Sequence, residues 1–121
     1  ALEAAREFPE MVQMDLGTAW MEEEDLPMIF GVFVARKDTP TALLKEAHAS
    51  LLDNLVQFEN EPKKREDVIH WSMEKSGLSF HRLDQYYGEV FNRLNQHHLD
   101  GLFCFLKEAC NMRTEPEFAW S

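Results

Sequence analysis

A chain of 121 residues suffices for one domain with a single modest core. Apolar side chains make up 45% of it, too many for disorder, and 12 Lys and Arg against 22 Asp and Glu leave a net charge of −10. That balance repels phosphate backbones and anionic bilayers, which excludes nucleic acid and membrane surfaces as partners. The longest apolar run, Met28–Ala35, falls far short of the about 18 residues needed to span a membrane.

In chain order, the first third mixes elements. Ala1–Phe8 reads as a short helix or helix end, stopped by Pro9, and its opening shows neither a basic n-region nor an apolar h-region. Met11–Met14 alternates apolar and polar residues and is expected to form a short strand. Asp15 is placed to cap a helix over Leu16–Glu24, whose acidic end Glu22–Asp25 is a solvated face. Then comes the longest apolar run, opened by Pro27 and rich in β-branched and aromatic residues. Continuous apolarity, in place of alternation, predicts one long strand about Pro27–Arg36 buried on both faces of a helix-covered sheet.

Everything beyond Asp38 reads as helix. Thr39-Pro40 marks the start of a helix to about Glu59 with the stripe Leu44, Ala47, Leu51, Leu55 and Phe58. Pro62 opens a second helix, carrying Val68, Ile69 and Met73, that stops at Gly77. Ser79 caps a third, with Leu83, Tyr86 or Tyr87, Val90, Phe91 and Leu94 on its apolar face. A fourth, about Leu99 to Cys110, is apolar nearly all round and should be the most buried. The fold class expected is therefore α/β and helix-dominated: one long buried strand followed by about four helices. Residues 1–36 form the strand-bearing part and 37–121 the helical part of a single domain or fragment.

Motifs that would declare a chemistry are scarce. On one helix, Cys104 and Cys110 would sit about 240° and 9 Å apart, which predicts two free thiols and a reducing, cytoplasmic setting. His70 and Glu74 share a helix face, but His97 and His98 point about 100° apart and no ligand spacing completes a metal site, so no metal is expected. No nucleophile elbow and no phosphate-cradling glycine loop is present. No residue receives a catalytic assignment.

One constellation is more specific. Asp15-Leu16-Gly17, then Trp20, then Leu26-Pro27 leading into Met28–Arg36 resembles the futalosine-pathway menaquinone enzymes. Gly77-Leu78-Ser79, Tyr86-Tyr87 and Leu99-Asp100-Gly101-Leu102, with Phe105 and Ala109, continue the likeness over about Val12 to Met112. The Asp-Leu-Gly start and the Phe-containing apolar segment are closer to the chorismate dehydratase branch. Glu24-Asp25 departs from it, standing where Thr-Gly is usual before Leu-Pro.

The resemblance implies a two-lobed fold of the periplasmic-binding-protein type II kind, with this chain as the C-terminal portion and an N-terminal lobe missing. It implies a lyase that removes water from chorismate to give 3-[(1-carboxyvinyl)oxy]benzoate in menaquinone biosynthesis, inactive as the fragment, with no cofactor. The substrate would be a small carboxylate, contacted here by the Asp15–Trp20 turn: Gly17 lets backbone approach it and Trp20 supplies an apolar wall. A non-catalytic solute-binding module of the same fold and a helical protein-interaction domain are the alternatives. An all-apolar segment with unpaired edges also leads us to expect a homo-oligomer.

Overall fold

The computed structural model describes residues 2–120. Their order is α1 (Leu2–Glu7), a 3-10 turn (Pro9–Met11), α2 (Leu16–Glu24), α3 (Thr41–Asn60), α4 (Pro62–Ser76), α5 (Phe80–Glu89) and α6 (Gln96–Glu108). About 63% of the chain is helical, as the capping signals lead one to expect.

The expected α/β fold is not found. Among the described residues there is no strand and no sheet, hence no sheet-based two-lobed fold. Met11 closes the 3-10 turn, and Val12–Met14 runs on without a strand partner. The segment expected to be the long buried strand is neither paired nor buried. Leu26–Ile29 is half-buried, whereas Phe30, Phe33 and Val34 are 80%, 89% and 89% exposed. The physical reason is that a strand is completed by a neighbour's backbone groups, and no second segment here offers them. Apolar continuity records what a segment prefers to lie against, not whether that neighbour exists.

The residues divide into two compact units, the first made of the chain up to Ala35 together with the stretch from Arg93 onward, the second running from Arg36 to Asn92. The second unit is built from α3, α4 and α5, with α4 packed against both others. Its helices end where local chemistry requires. Pro40 stands at the N-cap of α3, one residue later than the sequence indicates, and Pro62 opens α4. Gly77 stops α4 at φ 70°, a left-handed value that a side chain would strain. Ser79 caps α5 by accepting from the Arg82 N–H at 3.2 Å. The helix ends at Glu89, so Val90, Phe91 and Leu94 lie beyond it and not on its face.

The core of this unit is small: Ile69 is fully buried, with Leu78 and Leu83 nearly so. Ser72, the buried polar residue beside it, shares a 2.8 Å hydrogen bond with the Tyr87 hydroxyl and donates to the Val68 carbonyl at 2.9 Å. Arg65 ties α4 to α5 through the Asp84 carboxylate and, at 3.0 Å, the Asp84 carbonyl, and its guanidinium lies over the Phe58 ring.

The first unit joins α1, α2, the non-helical segment up to Ala35 and α6. α6 begins at Asn95, whose side chain accepts from the His98 N–H while His98 Nδ1 accepts from the Asn95 N–H, a reciprocal cap in which His replaces the usual acidic partner. Expected to be the most buried helix, α6 is half-buried over Leu102–Leu106, with Gly101 its one buried position.

Candidate functional site

The three residues assigned to substrate contact lie at the start of α2, in the first unit, Asp15 at its N-cap and Gly17 and Trp20 on its first two turns. Asp15 ends an extended stretch and caps the helix, accepting from the Thr18 N–H at 2.9 Å and the Thr18 hydroxyl at 2.7 Å. These bonds, the hydroxyl's first, hold its carboxyl below the usual carboxylate value. The carboxylate is thus engaged within α2.

A titration tests this. Because the folded value lies below the unfolded one, the cap's stabilisation is complete above the ordinary carboxylate pKa and is lost as pH falls through the lowered folded value. Followed by carboxyl NMR, the Asp15 midpoint should rise toward the ordinary value in Thr18→Val. An unmoved midpoint would show that the hydroxyl bond does not form.

The Phe30 ring lies against Gly17. A Cβ built there would meet the tip of the Phe30 ring at 3.0 Å, so glycine here seats an aromatic side chain from the non-helical segment. Trp20 lies one turn further on and stacks edge-on against Phe105 of α6, with ring centroids 5.6 Å apart and planes at 71°. Its indole Nε1 is buried and has no hydrogen-bond partner among the described residues. A buried donor left unpaired costs about 1–3 kcal/mol, so this N–H is a standing demand for an acceptor. Of the three residues, Trp20 alone retains an unengaged polar group. The structure brings Asp15 and Gly17 together, while Trp20 faces the α6 aromatics.

The surroundings were not legible from local sequence. Where α2 ends, Glu24 accepts from the Cys104 thiol at 3.5 Å across 80 residues of chain. Burial first, then that hydrogen bond and the Glu24 charge, push the Cys104 pKa up, so the group is a thiol at neutral pH and not a nucleophile. Cys110 is exposed, and both cysteines are free. Pro27 follows, its carbonyl packed so closely on Gly101 that a Cβ there would collide with it. The one available signal was the glycine itself: in a helix interior it costs about 1 kcal/mol relative to Ala, which calls for a packing reason.

Along α6 and the chain beyond it, Phe103, Cys104, Leu106, Met112 and Pro116 line an open groove of about 270 Å³ together with Lys107, Glu108, Arg113 and Glu115. Phe118 approaches Phe103 there, with ring centroids 6.4 Å apart.

In the second unit, His70 pairs with Glu66, Nε2 to Oε1 at 3.5 Å, and its ring faces Phe80. No cluster of three or more His, Cys, Asp or Glu among the described residues is arranged to hold a metal ion. No helix of the described residues is long and apolar enough to cross a membrane.

The Trp20 indole is thus packed against Phe105 with its donor buried and unpaired among the described residues. A family model described as menaquinone biosynthesis matches residues 1–111. Neither the curated proteins nor the solved structures include a match to this chain.

Proposed function

Because the chain belongs to a family of menaquinone biosynthesis, we propose that its step in that pathway is the dehydration of chorismate to 3-[(1-carboxyvinyl)oxy]benzoate. The family match over residues 1–111 is the observation that carries the pathway. The finer assignment is supported by Asp15-Leu16-Gly17, Trp20 and the Phe-containing segment after Leu26-Pro27, which resemble the dehydratase branch.

In this reaction the ring hydroxyl of chorismate leaves with the hydrogen of the neighbouring ring carbon as water. The ring becomes aromatic, and no external oxidant or reductant is required. Aromatisation supplies the driving force, so the protein's task is to hold the ring and keep its carboxylates in place. We assign ring contact to the partly exposed Trp20 ring. Asp15 and Gly17 act indirectly: one fixes the start of α2, the other seats Phe30 beside it. We place the rest of the pocket on polypeptide outside the described residues, since the groove beside α6 is open.

The test uses the natural polypeptide that contains this sequence, purified and incubated with chorismate without added metal or cofactor. We expect an aromatic product lighter by one water, seen by chromatography and mass spectrometry. Trp20→Ala, which removes the ring contact, should raise KM by roughly tenfold, the equivalent of about 1.4 kcal/mol. The 121-residue chain alone should give no product. Chorismate binding without turnover would replace the lyase with a non-catalytic binding module, and failure of both would overturn the assignment.

A further inference from the structure

One face of α6 meets the chain around the end of α2. Cys104 and Phe105 follow Gly101 by three and four residues, so all three share a side of the helix. Gly101 lies under the Pro27 carbonyl, the Cys104 thiol donates to Glu24 at 3.5 Å, and Phe105 meets the Trp20 ring. The contacts on Pro27, Glu24 and Trp20 therefore run in the opposite chain direction to their partners on α6.

The three contacts constrain the fit differently. The Pro27 carbonyl against Gly101 sets only how close the two elements come. The ring pair tolerates sliding, since aromatic pairs hold over about 4.5–7 Å between centroids. A hydrogen bond is directional and weakens steeply as its angle closes. The Glu24–Cys104 contact is thus the one that distinguishes neighbouring placements of α2 on α6.

Glu24 is also the member of its acidic run that the fold draws in. It is half-buried, whereas Glu22, Glu23 and Asp25 are exposed. Taking a carboxylate partly out of water is costly unless a donor meets it, and the Cys104 thiol is that donor. Burial first, then the bond to Glu24, keep Cys104 protonated at neutral pH, so the proton for the bond is present.

We propose that Glu24 is a positioning residue: through Cys104 it sets where α2 seats on α6, and so where the Trp20 ring stands for the substrate. The proposal rests on the assignment of ring contact to Trp20. Glu24 is four residues beyond Trp20 on the same helix, and their partners are adjacent on α6. Whatever fixes the one therefore fixes the other.

The test uses the natural polypeptide that contains this sequence, with isotope-labelled tryptophan. The Trp20 indole N–H resonance is identified by its loss in Trp20→Phe. Glu24→Ala should move that resonance and raise KM for chorismate about threefold, with kcat within about twofold. Glu24→Gln, whose side-chain carbonyl still accepts from the thiol, should restore both. Cys104→Ala should act as Glu24→Ala does, and the two together should be no worse than either alone. Added to Trp20→Ala, Glu24→Ala should leave KM where it is, because the ring it positions is gone.

A merely structural role would lower the folded fraction, and kcat with it, without moving KM or the resonance. Should Glu24→Ala not fold, Cys104→Ala carries the same readouts. The proposal is overturned if KM or the resonance fails to respond, if Glu24→Gln behaves as Glu24→Ala, or if the KM effect persists in Trp20→Ala. A wild-type protein that gives no product overturns the lyase reading and this role with it, a result distinct from any of the variants'.

Discussion

Gly101→Ala is expected to destabilise the first unit by on the order of 3 kcal/mol, against the usual sign for this substitution. In an exposed helix interior, Ala in place of Gly gains about 1 kcal/mol, because glycine loses more backbone freedom on folding. At Gly101 that gain is overwhelmed. An added Cβ would collide with the Pro27 carbonyl oxygen and sit 3.3 Å from its carbon and 3.4 Å from the Pro27 ring. These are backbone and ring atoms, which cannot swing aside as the end of a flexible side chain can. Either α6 moves away from the non-helical segment or the turn at Leu26-Pro27 opens.

Gly88 in α5 is the internal control, since nothing lies within 4 Å of a Cβ built there. Gly88→Ala should stabilise by about 0.5–1 kcal/mol. Chemical denaturation of both variants, followed by circular dichroism, decides the matter. A neutral or stabilising Gly101→Ala would show that α6 and Pro27 are not in contact.

Ile69→Ala should abolish cooperative unfolding of the second unit. Ile69 is its fully buried side chain, and only Leu78 at 6% and Leu83 at 4% approach it in burial among the described hydrophobic residues. Truncating a buried isoleucine costs about 2–5 kcal/mol, from lost transfer and the cavity left behind. A unit of about 60 residues has little more than that in reserve. Ile69→Val should cost only about 0.5–1.5 kcal/mol and retain a sharp transition. Trp71, two residues away but 60% exposed, should tolerate Ala within about 1 kcal/mol despite losing the Lys75 ammonium over its ring. Urea melts of the three variants separate a real core from a loose helix pair, in which all three would behave alike.

Much of the candidate site was legible because it is local. That Asp15 caps a helix carrying Gly17 and Trp20 follows from residue type and spacing within one helix. What those residues touch does not follow, because their partners arrive from distant chain: Phe30 onto Gly17, Phe105 onto Trp20, Cys104 onto Glu24. Gly17 shows the difference clearly. A glycine next to a helix start is compatible with an approaching ligand or an approaching side chain, and the sequence does not say that Phe30 lies against it. Asn95 was missed as a cap because its partner at the third position is His98, not Glu or Gln.

By itself the sequence determined the helices, their stops at Gly77 and their starts at Asp15, Pro62 and Ser79, and the likeness to menaquinone enzymes. A helix is closed by hydrogen bonds four residues apart, so the residues that make and end it are neighbours in the chain. The tertiary structure alone decided that Met28–Ala35 is an exposed segment and not a buried strand, that Gly101 exists to admit the Pro27 carbonyl, and that the Trp20 N–H is left unpaired. Each depends on whether a partner from elsewhere in the chain is present at bonding distance. The hydrophobic pattern carries a preference for burial, but ladder bonds, close approaches and unsatisfied donors are properties of pairs of segments.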